Sequence, residues 1–285
     1  MDVYKTVTEK IIGKIERGEI KSWNKAWNGI SEFAFNRISK KPYSLLNQML
    51  LENSGEYATF NQWISLGGKI KKGAKSEIVV FWKIFEPKDD EVLTEDKKVR
   101  KIPLLRYIPV FHISDVEGVT PLSEKIMNFF ETDVMFERVL NDYFLREGIS
   151  LEYIMGDSAY YSPKKDLIHL PYKKQFKSAE AFSEVIAHES IHSTGHEKRL
   201  SRFDESPASF GSVEYSKEEL VAELGSAYLL NIFGIETTDS IKNNAAYIKG
   251  WLSVLENDTK MIVSAAGRAE KAVKYIMEPR KTSIN

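Results

Sequence analysis

Ala187-His188-Glu189-Ser190-Ile191-His192 closes a run, Ala179–His192, in which Phe182, Val185, Ile186 and Ile191 recur at helical spacing. Histidines four residues apart share one helix face, so both imidazoles can reach a single ion. Glu189 sits beside the two ligands rather than among them, where it can take a proton from an attacking water. The spacing therefore predicts one Zn2+ per chain, held by His188 and His192, with Glu189 as the catalytic carboxylate. The chain has 285 residues, five histidines and no cysteine. At that histidine content a chance match is on the order of one chain in a hundred. With no thiolate available, His, Asp or Glu must hold any transition metal.

A catalytic zinc needs a third protein ligand and one open position. Downstream, Glu218-Glu219-Leu220-Val221-Ala222-Glu223-Leu224 reads as helix, with Glu219 and Glu223 on one face. Glu219 is the expected ligand. Glu223 is expected to orient a ligand histidine, or to replace Glu219. His196 is a competing ligand: Thr194-Gly195-His196 looks like the start of the metzincin pattern, but the position three after the glycine is Lys198. The alternative for His196 is a histidine favoured by the negative end of the helix dipole. A motif helix, a break and a second helix bearing paired acids is similar to the gluzincin arrangement. Upstream, Asp166–Pro171 reads as a short strand ending in proline. In zincin folds an edge strand beside the cleft can pair with an extended peptide. His169 reads as a strand-face residue and Tyr160 and Tyr161 as packing.

Working outward, a helix is expected over 2–18, another over 43–53, and a short one from a Thr59 cap to Leu66. Ile78–Trp82 reads as a buried strand, 86–101 as an exposed charged loop, and 104–113 as a second strand. Thr120-Pro121 has the chemistry of a helix start. Helices are further expected to about Arg146, from Ser178, over 216–233 and over 242–276, with short strands near 151–154, 158–161 and 166–170. The fold class is α+β: a small N-terminal α+β domain with an antiparallel sheet (1–118), then a gluzincin-type, mostly helical zincin-like domain with a short sheet (119–285).

Net charge is −1, but residues 1–83 carry 14 Lys/Arg against 8 Asp/Glu, and the remainder is acidic in balance. A basic part can face nucleic acid. Single strands are bound by cations that follow the phosphates and aromatic faces that stack on bases. Lys69, Lys71, Lys72 and Lys75 flank a glycine turn, and Trp23 and Trp27 stand in loop-like sequence. These six are the expected DNA contacts. Trp63 and Trp82 are expected in the core, and Asn47, on an apolar helix, is expected to be a structural hydrogen-bonder.

Further residues carry a resemblance. They are Tyr43-x-x-x-Asn47-x-x-Leu50-Leu51, Gln62, Leu66-Gly67-Gly68-x-x-x-Lys72-Gly73-x-Lys75 and Val80-Phe81-Trp82 in the first half. In the second half they are Tyr160-x-Ser162-Pro163, Ala187-His188-Glu189-x-x-His192-x-Thr194-Gly195-His196-x-x-Arg199-Leu200, Glu218–Gly225 and Tyr247-Ile248-x-x-Trp251-Leu252. Together they resemble the ArdC family of antirestriction proteins, found on plasmids, phages and related mobile elements, and the resemblance covers nearly the whole chain. Two departures are local: the prolines that often precede the family's tryptophans are missing before Trp23 and Trp27, and Ser44-Leu45 stands where a glycine-containing pair is usual. The resemblance implies a single-stranded-DNA-binding N-terminal domain joined to a zincin-like metallopeptidase domain, protecting incoming DNA from restriction.

Two other functions fit the same residues. One is a single-stranded-DNA-binding protein whose zinc is structural or inactive; the other is a metallopeptidase without a DNA role. A protein or peptide substrate belongs to the first and last readings. The N-terminus lacks the layout of a secretory signal, and no stretch approaches the roughly 18 apolar residues of a membrane span. The expectation is a cytoplasmic protein without a membrane partner.

Overall fold

The computed structural model describes residues 2–17, 33–85, 102–122, 132–203, 213–235 and 255–279. Trp23, Trp27, the loop expected over 86–101 and the first part of the helix expected over 242–276 lie outside them. The chain divides into two compact units, Met1–Lys10 with Phe33–Glu124, and Ile11–Glu32 with Lys125–Asn285. Helix and sheet occur in both, and the fold is α+β. Helix α1 (Val3–Glu16) begins in the first unit and ends in the second.

The first unit contains β1 (Ala34–Asn36), α2 (Leu45–Leu50), β2 (Gly55–Ala58), α3 (Phe60–Ser65), β3 (Lys69–Ile70), β4 (Glu77–Phe85), β5 (Ile102–His112) and β6 (Val116–Glu117). The main sheet has the order β1-β2-β5-β4, and β3 pairs with β6. The sheet is mixed rather than antiparallel, because β1 and β2 run parallel. A parallel pair needs a crossover, and α2 lies in the connection that supplies it. Ala34, Leu51, Tyr57, Val79 and Val110 form the core beneath this sheet. Thr59 caps α3 with the reciprocal bonds of a capping box to Gln62. Trp63 is fully buried, and its indole N–H donates to the Phe111 carbonyl at 2.9 Å.

Strand β4 is a sheet edge, and Asn47 of α2 closes part of it. Its amide donates to the Val80 carbonyl at 2.9 Å and accepts from the Val80 N–H at 2.7 Å. The buried amide thus satisfies two backbone groups that the sheet leaves open. Trp82 departs from expectation: it is 54% exposed. Its ring meets Tyr4 edge to face at 6.3 Å between centroids, while Leu105, opposite it in the sheet, is buried.

Thr120-Pro121 does not start a helix. The Thr120 carbonyl accepts from Arg37, and the Leu122 N–H donates to buried Glu56 at 2.6 Å. Those tertiary bonds hold 119–122 in a non-helical path, overriding the local capping signal.

The second unit contains α4 (Thr132–Glu147), β7 (Ser150–Ile154), β8 (Tyr160–Ser162), β9 (Leu167–Pro171), α5 (Ala179–Ser193), α6 (Val213–Ile232) and α7 (Met261–Met277). Gly148 ends α4 with φ +70°, a conformation glycine adopts without strain. The segment expected at a sheet edge is instead the centre of a three-stranded sheet, order β7-β9-β8. Its sequence explains this: Ile168, His169, Leu170 and Pro171 are all buried, as a strand covered on both faces requires. The helix expected over 242–276 is interrupted: residues 255–257 are helical, 258–260 are not, and α7 starts at Met261. Helix α6 packs on both α5 and α7. Ala265, Ala266, Ala269 and Ala272 make the buried stripe of α7, and their small side chains admit a close approach. Among the described residues no helix is long and apolar enough to cross a membrane.

Candidate metal centre

Helix α5 delivers the histidines. Ser178 caps it by accepting from the Ala181 N–H at 3.1 Å. Phe182, Ile186, Ala187 and Ile191 bury one side of it. Its C-terminal carbonyls are tied down by two arginines: Arg199 donates to the Ser193 carbonyl and Arg202 to the Ile191 carbonyl. The buried face fixes the helix roll, which turns His188 and His192 toward α6.

There the ring nitrogens converge. His188 Nε2 and His192 Nε2 are 3.0 Å apart. Glu219 of α6 puts one carboxylate oxygen 3.4 Å from His192 Nε2 and the other 3.6 Å from His188 Nε2. Among the described residues these three form the one group whose donor atoms could hold a metal ion. A tetrahedral zinc with arms of about 2.0–2.1 Å has ligand–ligand edges of about 3.3 Å, and the three observed separations lie around that length. The residues therefore fit a divalent cation held by three protein groups.

The far side of each imidazole meets its own carboxylate. His188 Nδ1 is 3.8 Å from Glu223, and His192 Nδ1 is 3.5 Å from Glu218. Glu218 is held in turn by Arg202, which donates to both its oxygens at 2.7 and 3.1 Å. The role of Glu218 is not evident from spacing, because attention falls on the i, i+4 pair Glu219 and Glu223. A helix advances about 100° per residue, so adjacent acids can serve different rings. Arg202 carries no local signal, since it reaches Glu218 from a loop.

The electrostatics suit a cation. Burial opposes charge on His192, but Glu218 and Glu219 outweigh it and hold the imidazole well above its usual pKa. Burial likewise opposes charge on Glu219, yet the two histidines keep its carboxyl far below the usual range. Burial, joined by the neighbouring charges of Glu219 and Glu184 and opposed by the two histidines, raises Glu223. A cluster that stabilises positive charge this strongly without an ion presents a ready-made field for one. Glu189 is 7% exposed, one residue from His188 on α5.

His196 lies outside the ligand group. It is buried in the turn after α5, and its Nδ1 accepts from the Lys198 N–H. His169 is buried under the Tyr160 ring, stacked at 4.4 Å between centroids. In the first unit, Lys69, Lys71, Lys72 and Lys75 are all exposed around a turn where Gly73 has φ +87°. Lys71 Nζ also donates to the Ser114 carbonyl at 2.8 Å.

Residues 1–111 match the family described as the N-terminal domain of anti-restriction factor ArdC, and residues 139–268 match the zincin-like metallopeptidase family. Two crystal structures of the antirestriction ArdC protein from the R388 plasmid superpose on nearly the whole chain. The metal-free one is 29% identical with a TM-score of 0.75, covering 98% of this chain and 97% of that one. The Mn(II)-bound one is 28% identical with a TM-score of 0.76, covering 99% and 100%.

The chain is an ArdC-like protein.

Other relatives widen the setting of this ArdC-like chain. Two proteins named DNA primase TraC, from Escherichia coli, are 29% and 30% identical over 96% of this chain. The chain spans only 20% and 27% of their lengths. An uncharacterized protein, y4eC, from Sinorhizobium fredii is 29% identical, covering 96% of this chain and 91% of its own.

Proposed function

We propose that this ArdC-like chain is an antirestriction protein that binds single-stranded DNA through its first part and carries a zinc-dependent site of the metallopeptidase type in its second. The observation that carries the enzymatic half is the convergence of His188 Nε2, His192 Nε2 and the Glu219 carboxylate at tetrahedral spacing. Bound zinc would supply Lewis acidity toward a peptide carbonyl and a water pKa near about 7. Glu189 takes the proton of the attacking water and returns it to the departing amine. Glu223 and Glu218 hold the two rings so that their Nε2 lone pairs face the ion. The substrate is a peptide or protein segment.

The DNA half rests on the match of residues 1–111 to the ArdC N-terminal family and on the exposed lysines Lys69, Lys71, Lys72 and Lys75. Trp23 and Trp27 join them on their sequence context as base-stacking residues.

Glu189→Gln tests the whole reading. The variant is expected to keep its metal and its single-stranded DNA affinity while peptide cleavage falls about 10²–10⁴-fold. Undiminished cleavage would remove Glu189 from the mechanism. Undiminished protection of transferred DNA in the same variant would show that hydrolysis is not how restriction is opposed.

A further inference from the structure

Strands β4 and β5 pair over nine residues, from Glu77↔Val110 to Phe85↔Ile102. Residues directly opposite in an antiparallel pair share a face. One face therefore carries Val79 with Ile108, then Phe81 with Arg106, then Lys83 with Leu104. The other carries Val80 with Tyr107, then Trp82 with Leu105. Val79 and Val80 are 6% exposed and belong to the interior. Beyond them the ribbon leaves the core: Phe81 is 38%, Trp82 54% and Leu104 39% exposed, and Lys83 and Arg106 are exposed as well. Residues 81–83 and 104–107 contain no carboxylate.

We propose that the outer half of this ribbon is a platform for single-stranded nucleic acid on the face that carries Phe81, with Phe81 stacking on a base and Lys83 and Arg106, on the same face, meeting phosphates. The proposal rests on the DNA-binding reading above and gives it a second surface besides the lysine turn. Aromatic faces bordered by cations match the chemistry of an unpaired strand, whose bases offer free π-faces and whose backbone is anionic. A duplex keeps its bases stacked on one another and has no faces to offer. A partner strand adding to the β4 edge would need the Val80 N–H and carbonyl, and Asn47 holds both. At Val80 the edge is thus taken, and beyond it the ribbon offers the face that carries Phe81, Arg106 and Lys83. The lysine turn is continuous with it: from Lys75 to Phe81 is about 20 Å along an extended chain, so one nucleic-acid strand can touch both.

The test is fluorescence anisotropy of a labelled oligothymidylate with the full chain, across a salt series. Phe81→Ala is expected to weaken binding about tenfold with little change in salt slope, whereas Trp82→Ala, on the opposite face, is expected to leave affinity near native. Phe81→Leu, which keeps apolar bulk without an aromatic face, is expected to lose affinity too, whereas Phe81→Trp retains it. The double variant Lys83→Ala/Arg106→Ala is expected to flatten the slope of log affinity against log salt by about 1.4, or about 0.7 per phosphate contact. Phe81→Leu with native affinity and Lys83→Ala/Arg106→Ala with native slope would overturn the proposal. If binding were lost instead on replacing Lys69, Lys71, Lys72 and Lys75, the DNA reading would stand without the ribbon. If the unaltered protein failed to bind at low salt, the DNA reading itself would fall and the ribbon with it.

Discussion

Gly225 of α6 lies so close to Ile191 of α5 that a methyl group at position 225 would come 2.9 Å from Ile191 Cδ1 and 3.0 Å from two further carbons of that side chain. Ile191 is fully buried and has nowhere to swing. The missing side chain at 225 sets how near α6 can approach α5, and that separation brings Glu219 within reach of the histidines.

Gly225→Ala is therefore expected to weaken metal binding although it touches no ligand. Alanine favours the helix by about 1 kcal/mol, but overpacking costs about 1–3 kcal/mol, so a small net loss of stability is expected. Zinc competition titration and urea unfolding check both. A stabilised variant with native metal affinity would show that the contact is not what spaces the site.

Glu219→Ala is expected to abolish the metal binding proposed above, since it removes one of the three converging donor groups. Glu218→Gln and Arg202→Ala are expected to retain the ion but bind it about 10–100-fold more weakly, by releasing the His192 ring from its support. Elemental analysis of the purified protein with a chelator competition separates the two levels. Equal affinities for Glu218→Gln and the unaltered chain would leave His192 oriented by packing alone.

Arg199, whose side chain is fully buried, forms an ion pair with Asp166 and donates to the Tyr161 hydroxyl. Burial works against charge on Asp166, but Arg199 and the Tyr161 hydroxyl outweigh it and hold the carboxyl below its usual 3.8. A depressed carboxylate contributes stability that is complete above the unfolded value and disappears as pH falls through the folded one. Asp166 has φ +50°, which asparagine also tolerates, so Asp166→Asn removes charge with little backbone strain. The variant is expected to be less stable by about 3 kcal/mol near neutral pH. The gap should begin to shrink as pH falls below the usual 3.8 and vanish only once pH has passed the lowered folded value. Thermal unfolding across pH reads this, and a gap that persists at low pH would assign the effect to shape rather than charge.

Asn47→Leu is expected to cost about 2–4 kcal/mol, because it leaves the Val80 N–H and carbonyl without partners in a buried place. The same variant opens the β4 edge to pairing with other chains. Urea unfolding and light scattering give the two readouts. Native stability in Asn47→Leu would mean that the edge is satisfied in some other way.

Much of this protein is legible locally. The Thr59 capping box, the Ser178 cap, the end of α4 at Gly148 and the burial of Trp63 each follow from a few adjacent residues. The two histidines of α5 converge because helical spacing alone puts them on one face. Other features were misleading for a shared reason. The Thr120-Pro121 pair has helix-start chemistry, yet Arg37 and Glu56 capture its backbone from far along the chain. Trp82 sits in a run that reads as buried strand, but how far a core extends along a strand depends on what lies beneath it. Asp166–Pro171 reads as a strand without revealing whether neighbours flank it on one side or both.

The sequence by itself determined the elements and the chemistry they carry: a helix bearing two imidazoles and a carboxylate, a later helix bearing acids, and a basic, aromatic first part. Those follow from interactions that reach only a turn or two of chain. Which acid meets which ring nitrogen was decided in three dimensions. Glu219 lies between the Nε2 atoms, Glu223 behind His188, and Glu218, braced by Arg202, behind His192. That assignment depends on the distance and rotation between α5 and α6, and side-chain packing at Gly225 and Ile191 sets them, because close-packed interiors admit few alternatives.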